Sequence, residues 1–315
     1  MDRAAPTNLH GCYTALITPF TEDGSRVDHA RLAEQIAFQA EGTVTGVVPC
    51  GTTGESPTLL ESEQREVIQR TVALARPLGL QVIAGTGSNC TRHATEMHRF
   101  AAEAGADASL QVAPYYNKPS QEGLYRHFTA VADSCDLPVV LYNIPGRCGV
   151  ALTPATVARL ARHPNIVAIK EATGSMDSAS EIAQRCAITI LSGDDSLTLP
   201  FAACGARGVV SVVSNLVPRQ VQALCDAILE DRFAEARRRH AELFPLCRGL
   251  LTLDVNPVPV KAAMRILGRD TGTVRLPLAE ASREAVEAIT QLLASLPATE
   301  GGSRAVAGMA TAVGS

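Results

Sequence analysis

The chain lacks the features that mark membrane proteins and nucleic-acid-binding proteins. No uninterrupted apolar stretch reaches the roughly 18–20 residues that a membrane span requires. Charged residues make up only 19% of the chain, and the net charge of −4 gives no general attraction to nucleic acid or to an anionic membrane. The first residues contain no apolar segment of the kind found in signal peptides. We therefore expect a cytoplasmic protein whose partners are small molecules.

Clusters of potential metal ligands are also missing from the sequence. The nine cysteines are scattered and form no C-x-x-C pair, so they indicate neither a disulfide framework nor a zinc site. His93 and His98 are the only histidines close together, and their spacing of five does not place them on one helix face. We therefore expect reduced cysteines and no metal site.

What the chain does contain is a strand, loop and helix pattern that recurs eight times. The candidate strands are short and almost wholly apolar, which is typical of parallel strands that are covered by helices. They lie at residues 14–18, 46–49, 81–84, 108–112, 139–143, 166–170, 188–192 and 208–212. The helical patterns between them lie at residues 28–40, 61–75, 92–104, 121–133, 153–161, 178–184 and 196–204. Eight such units predict an α/β fold, a (β/α)8 TIM barrel, and the length of 315 residues leaves room for a C-terminal helical extension.

After the eighth strand the pattern becomes purely helical. Candidate helices lie at residues 218–229, 232–251, 257–267 and 282–296. Because the first of these completes the barrel, we expect a catalytic barrel at residues 10–231 and a C-terminal helical region at residues 232–296. The composition of residues 297–315 is small and flexible, which predicts a disordered tail.

Lys170 ends an apolar strand, where a charged side chain has no evident structural purpose. Desolvation favours the neutral amine, and enzymes lower the pKa of such lysines from about 10.4 to roughly 7–8, which makes them nucleophiles toward carbonyl carbon. The competing interpretation is that Lys170 pairs with Glu171 or another carboxylate and only holds a loop. We therefore regard Lys170 as a candidate Schiff-base residue.

Polar residues also follow the second and fifth strands, and the chemistry of such barrels lies where strands end. Two glycines and the hydroxyls of Thr52 and Thr53 suit a small carboxylate, although an ordinary turn before the next helix explains them equally well. Tyr142 occupies the strand face that corresponds to that of Lys170, so its phenol is expected near the amine, although it could instead pack with its hydroxyl satisfied. Arg147 suits carboxylate binding, although it could equally cap a helix.

The loops after the fourth and seventh strands are less informative by themselves. Tyr115 and Tyr116 are adjacent aromatic residues on a loop, and such pairs more often pack against a neighbouring subunit than perform chemistry. Asp194 and Asp195 precede a helical pattern, and helix capping is the leading interpretation for them.

Taken together, five motifs resemble the dihydrodipicolinate synthase family, within the wider group that includes N-acetylneuraminate lyases. The motifs occur in the family order and cover roughly residues 10–296. They lie at residues 51–55, 114–125, 142–147, 169–174 and 256–261. The resemblance implies the first committed step of diaminopimelate and lysine biosynthesis, in which pyruvate condenses with L-aspartate 4-semialdehyde. It also implies that no cofactor is needed and that the protein is a homotetramer, built as a dimer of dimers.

The resemblance further implies a role for each matching residue. Lys170 would form the imine with pyruvate, and a proton relay would join Tyr142, Thr53 and Tyr116, with Tyr116 donated by the adjacent subunit. Thr52 and Thr53 would hold the pyruvate carboxylate, and Arg147 the carboxylate of the semialdehyde. The carbonyl of Val210 would line the pyruvate site.

Two alternatives remain open at this stage. Relatives on the same scaffold cleave N-acetylneuraminate or 2-keto-3-deoxy sugar acids through the same imine, but they generally have no arginine at the position of Arg147. A non-catalytic sensor of 2-oxo acids is the second alternative, and the intact set of imine and relay residues argues against it.

The chain departs from the family pattern in the cleft where inhibited members bind lysine. Ser56 is present, and Asn89 and Tyr115 match the family, but Glu61 occupies a histidine position and His93 occupies the position of a glutamate that meets the ligand's ammonium groups. Losing such a charge-assisted contact costs about 1.5–3 kcal/mol. We therefore expect feedback inhibition by L-lysine to be weak or absent.

Overall fold

The computed structural model describes residues 9–294, so the predicted tail at residues 297–315 lies outside the described residues. Eight parallel strands close into a barrel in chain order, which confirms the predicted fold class. The strands are β1 (Gly11–Ala15), β2 (Gly46–Val48), β3 (Gln81–Gly85), β4 (Ala108–Val112), β5 (Val139–Asn143), β6 (Ile166–Glu171), β7 (Thr189–Ser192) and β8 (Gly208–Ser211).

Helices cover the outside of the barrel because one face of each is apolar, and the strands they cover are buried on both sides. The helices up to β8 are α1 (His29–Glu41), α2 (Glu61–Ala75), α3 (Thr91–Ala104), α4 (Gln121–Ala132), α5 (Pro145–Cys148), α6 (Pro154–Leu160), α7 (Met176–Arg185) and α8 (Thr198–Ala203). After β8 follow α9 (Pro218–Leu229), α10 (Phe233–Thr252), α11 (Val258–Ile266) and α12 (Arg283–Ala294). Residues 232–294, with α10 to α12, form the C-terminal helical region, and α10 packs against α9 and α12.

The barrel interior is filled by alternate residues of the strands. Tyr13, Val48, Val140, Leu191 and Val210 belong to one buried cluster there. Two further clusters fill the layer between the strands and the surrounding helices. The core is thus continuous across each strand, as expected of a barrel whose inside is packed rather than open.

The first strand begins three residues earlier than the sequence predicts. Instead of residues 14–18, β1 comprises Gly11–Ala15. The pairing explains the difference, because a Cβ added at Gly208 would lie 2.1 Å from the carbonyl oxygen of Gly11. The two strands therefore meet through a pair of glycines, which strand propensity disfavours.

Candidate functional site

A cavity of about 130 Å³ opens at the carboxyl ends of the barrel strands, where barrel enzymes place their chemistry. This volume is well below that of drug-sized pockets and suits a ligand of a few carbon atoms. Five predicted residues line the cavity, namely Thr52, Thr53, Tyr142, Arg147 and Lys170. The remaining lining residues are Ile144, Ala172, Gly193, Asp194, Asp195, Val212, Leu251 and Asn256.

Lys170 and Tyr142 are brought together by the strand register. They are direct partners in the pairing of β5 with β6, so both side chains project from the same face of neighbouring strands. The Lys170 side chain is 6% exposed, and its Nζ lies 4.1 Å from the centroid of the Tyr142 ring. A nearly dry amine next to a phenol is an arrangement suited to nucleophilic attack and proton transfer.

Glu171 projects to the opposite side of β6 from Lys170. Its Oε2 accepts a hydrogen bond from Asn143 Nδ2 at 3.1 Å, and its Oε1 accepts one from the backbone N–H of Thr173 at 2.8 Å. Asn143 also exchanges hydrogen bonds with the backbone of Leu152. Burial raises the pKa of the Glu171 carboxyl. Glu171 therefore shapes the loop after β6, and its contacts are with Asn143 and Thr173 rather than with Lys170.

The loop after β2, residues 51–56, is hereafter called the threonine loop. Gly54 is needed there because an added Cβ would lie 3.0 Å from the Cys50 nitrogen and 3.1 Å from the Leu16 oxygen. Thr53 is buried, and its Oγ1 accepts a hydrogen bond from Asn256 Nδ2 at 3.0 Å. The Thr53 hydroxyl hydrogen is therefore free to be donated elsewhere in the cavity.

Arg147 reaches the cavity from α5, a short helix that the sequence did not predict. Its Nη2 donates to the backbone oxygen of Asn256 at 3.3 Å. Asn256 thus touches two predicted site residues, Arg147 and Thr53, and its Oδ1 is buried without a partner in the part of the chain that the structure describes. Asn256 was predicted only as a member of a motif, with no role of its own, and Leu251 was not predicted as a site residue. The feature of the sequence that could have identified Asn256 is that a polar residue directly precedes Pro257.

The aspartates after β7 support neighbouring loops. Asp194 Oδ1 accepts hydrogen bonds from the backbone N–H and the hydroxyl of Ser196 at 3.0 and 2.9 Å, in agreement with a capping role. Asp195 accepts from the backbone N–H groups of Val212 at 2.8 Å and Val213 at 3.2 Å, and from the hydroxyl of Ser211. Burial raises the pKa of Asp195 to about 6. The loop after β8 is therefore fixed by a buried carboxyl that borders the cavity.

Two predicted residues are not brought to the cavity within the described chain. Tyr116 has a φ of 73° and is 89% exposed, and Tyr115 is also exposed. The side chain of Val210 packs inside the barrel, and Val212 borders the cavity instead. The role assigned to the Val210 carbonyl stays a prediction.

The residues of the predicted lysine cleft lie near one another outside the cavity. His93 Nδ1 is 3.8 Å from Glu61 Oε2, and the other oxygen of Glu61 is held by Arg65 at 2.7 Å. Asn89 Nδ2 donates to the backbone oxygen of Tyr115 at 3.3 Å. Ser56 opens a short 3₁₀ turn, Ser56–Thr58, that continues from the threonine loop. The charge of Glu61 is thus already balanced by its own chain.

Within residues 9–294, no three His, Cys, Asp or Glu side chains lie close enough together to form a metal site. None of the helices in that stretch combines the length and apolar character needed to cross a membrane.

Comparison with known proteins gives a consistent picture over nearly the whole chain. Residues 8–296 match the dihydrodipicolinate synthetase family. A 4-hydroxy-tetrahydrodipicolinate synthase from Geotalea daltonii is 51% identical over 274 residues, which cover 86% of this chain and 93% of that protein. The solved 4-hydroxy-tetrahydrodipicolinate synthase from Methylacidiphilum fumariolicum SolV is 44% identical, with a TM-score of 0.89 and coverage of 96% and 99%. A dihydrodipicolinate synthase (DHDPS) from Cyanidioschyzon merolae, solved with lysine bound, is 39% identical, with a TM-score of 0.88. The match covers 91% of this chain and 97% of that chain.

Proposed function

The chain belongs to the dihydrodipicolinate synthetase family, and we propose that its activity is that of a 4-hydroxy-tetrahydrodipicolinate synthase, a lyase. Its substrates are pyruvate and L-aspartate 4-semialdehyde, and its product enters the diaminopimelate route to lysine. The proposed location is the cytoplasm.

Lys170 carries the proposed chemistry. Its amine attacks the ketone carbon of pyruvate, and loss of water leaves an imine. The imine withdraws electrons, so that the pyruvate methyl group loses a proton and becomes an enamine carbon. That carbon attacks the aldehyde of the second substrate and forms the new C–C bond. The observation that carries this proposal is the buried Lys170 amine 4.1 Å from the Tyr142 ring in a cavity of small volume.

Thr53, Tyr142 and Tyr116 form the proposed proton relay. Each step of a relay needs a hydroxyl that accepts from one neighbour and donates to another. The hydrogen bond that Thr53 accepts from Asn256 orients its hydroxyl and leaves its proton free for Tyr142. Thr52 binds the pyruvate carboxylate through its hydroxyl, and Thr53 binds it through its backbone N–H in the loop, because the one hydroxyl proton of Thr53 serves the relay.

Arg147 selects the second substrate in this proposal. A guanidinium forms paired hydrogen bonds with a carboxylate, and Arg147 borders the cavity with its orientation fixed by the Asn256 carbonyl. Enzymes that cleave polyhydroxylated 2-oxo acids need room and hydroxyl-binding groups at this position. The arginine therefore favours the synthase over the aldolases of sugar acids.

Borohydride trapping tests the proposal directly. An imine is reducible and an ion pair is not, so treatment with pyruvate and borohydride should attach a reduced pyruvyl group to Lys170 and abolish activity. The chain contains only three lysines, Lys118, Lys170 and Lys261, so peptide mapping assigns the label without ambiguity. A parallel assay with N-acetylneuraminate should give no cleavage. A label on Lys118 or Lys261, or no label, contradicts the mechanism.

The proposed assembly is a homotetramer, built as a dimer of dimers, in which Tyr116 enters the cavity of the adjacent subunit. The support is its 89% exposure, because a relay residue has to reach a substrate that its own chain does not bring close. Tyr116→Phe should lower kcat, and mixing it with Lys170→Ala should restore part of the activity through hybrid dimers. Verified hybrids without recovery would exclude a role across the interface.

A further inference from the structure

Lys261 lies in a fully buried ion pair outside the cavity. Lys261 and Glu55 are both 0% exposed, and Nζ lies 2.7 Å from Glu55 Oε1. The same ammonium donates to the backbone oxygen of Thr18 at 2.9 Å and stands 4.2 Å from the centroid of the Phe20 ring. Lys261 belongs to α11, so this pair joins the C-terminal helical region to the barrel across 206 residues of sequence.

Both groups that Lys261 holds are connected to the threonine loop. Glu55 lies two residues after Thr53 in the threonine loop. Its backbone is left-handed, with a φ of 54°, a conformation that a non-glycine residue adopts only when its surroundings enforce it. Thr18, whose carbonyl Lys261 binds, donates its hydroxyl to the backbone oxygen of Gly54 at 2.7 Å. One ammonium therefore fixes the loop at two consecutive residues, directly at the Glu55 carboxylate and through Thr18 at the Gly54 carbonyl.

Stability alone does not explain a charged pair at this position. Removing two charges from water is costly, and apolar residues of similar size often stabilise a fold equally well. Burial lowers the pKa of Lys261, against the attraction of Glu55 and Asp270. The pair provides a directional constraint that apolar residues would lack. An ammonium that donates to two defined acceptors fixes the position of both acceptors.

We propose that Lys261 is a positioning residue of the active site, which sets the location of the Thr53 hydroxyl by holding Glu55 and Thr18. The proposal rests on the function proposed above. Lys261 does not line the cavity and does no chemistry itself. Its effect passes through the threonine loop, so it should disappear when the Thr53 hydroxyl is absent.

The experiment is a double-mutant cycle between Lys261→Met and Thr53→Val. Methionine keeps the length of the side chain and removes the ammonium. Because small displacements of a reacting group are costly, Lys261→Met should lower kcat for the condensation about ten- to a hundredfold. In the Thr53→Val background the same change should cost less than about threefold, because the hydroxyl that it positions is already gone.

Imine formation provides a second measurement that separates positioning from misfolding. With saturating pyruvate, the extent of borohydride trapping at Lys170 should stay within about threefold of the wild-type value in Lys261→Met, since Lys170 is held by the strand register. Leu246→Ala serves as the control for stability. Leu246 is buried in α10 and does not line the cavity, so its truncation destabilises the same region without touching the threonine loop.

Three results would overturn the proposal. The first is a kcat in Lys261→Met that is no lower than in Leu246→Ala at equal folded fraction. The second is an equal loss of kcat on Lys261→Met in the wild-type and Thr53→Val backgrounds. The third is a loss of trapping that matches the loss of kcat. If Lys261→Met does not fold, Glu55→Gln enters the same cycle, because it removes the charge on the loop side and keeps the shape. Absence of trapping in the wild-type protein would instead refute the proposed function and is distinguishable from all three.

Discussion

On one side of the cavity Tyr142 and Lys170 stand on neighbouring strands, and on the other side Thr52 and Thr53 stand on a loop. The first side, here called the strand wall, is fixed by backbone pairing, in which Tyr142 and Lys170 are direct partners. Hydrogen bonds of the sheet would hold these two side chains in register even if nearby side chains changed. Glu171 and Asn143 reinforce the same two strands from behind.

The second side, here called the loop wall, depends on side chains that are remote in sequence. Asn256 holds Thr53 across 203 residues, and Lys261 holds Glu55 across 206. Arg275 adds its backbone N–H to the other oxygen of Glu55 at 3.1 Å. Strand pairing thus positions the strand wall, whereas the loop wall also takes contacts from Asn256, Lys261 and Arg275, which follow the barrel in sequence.

The largest effect expected in this comparison comes from removing one hydroxyl from each wall. Tyr142→Phe and Thr53→Val preserve side-chain shape, and each should lower kcat about a hundred- to a thousandfold, as expected when a proton-transfer group is lost. Imine trapping should persist in both. The measurement is steady-state kinetics together with trapping at saturating pyruvate.

Matched controls exist for both substitutions. Tyr13→Phe removes a phenol that hydrogen-bonds to Gln81 at the far end of the barrel, and Thr71→Val removes a buried helix hydroxyl. Both should leave kcat within about threefold of wild type. A small effect of Thr53→Val beside a large effect of Tyr142→Phe would show that only the strand wall transfers protons.

The strand wall was predictable from the sequence, and the support of the loop wall was not. Lys170 and Tyr142 lie near the carboxyl ends of apolar strands, and the period of two in a strand places them on equivalent faces. The contacts of Asn256 and Lys261 have no such signal, because a side chain that bridges more than 200 residues leaves no local periodicity. Likewise the start of β1 was misplaced because its pairing depends on a close approach of two glycines rather than on an apolar pattern.

Arg147→Leu tests whether Arg147 binds the second substrate or instead supports the loop wall through Asn256. Loss of the guanidinium should raise the KM for L-aspartate 4-semialdehyde about ten- to a hundredfold, the range expected when a charge-assisted hydrogen bond is lost. The KM for pyruvate and the extent of trapping should change little. Arg147→Lys should recover only part of the affinity, because an ammonium lacks the planar pair of donors. A parallel loss of trapping would instead show that Arg147 supports the loop wall through Asn256.

A smaller effect, on the free energy of unfolding, is expected from substituting Asp270. This residue is a buried carboxyl in the region that supports the loop wall. Burial raises its pKa from 3.8 to about 6, although Lys261 and Arg31 oppose the shift. The unfolded chain loses this proton near pH 4 and the folded chain near pH 6, so the folded protein loses stability as the pH rises through this window. The shift corresponds to at most about 3 kcal/mol.

Asp270→Asn should therefore unfold at higher urea concentration than wild type at pH 7, and this advantage should shrink toward pH 4. The reason is that the amide cannot ionise, while its oxygen can still accept from the Gly272 N–H that Asp270 binds at 2.9 Å. Asp136→Asn, at an exposed carboxylate, should show no such trend. An advantage that is independent of pH would mean that desolvation of Asp270 is not the cause.

The smallest effect expected is that of L-lysine on the condensation. The predicted lysine cleft lies next to the loop wall in sequence, since Ser56 directly follows Glu55 and Glu61 begins α2 six residues after Glu55. In this chain, however, His93 provides an imidazole at the position where the family resemblance predicts a carboxylate. Glu61 pairs with Arg65 at 2.7 Å, and its other oxygen lies 3.8 Å from His93 Nδ1. An ammonium group would have to displace these contacts, at a cost comparable to the charge-assisted bond it gains. Inhibition should therefore be absent below about 1 mM lysine, which corresponds to roughly 4 kcal/mol of binding. His93→Glu should strengthen inhibition, and sub-millimolar inhibition of the wild-type enzyme would contradict this account.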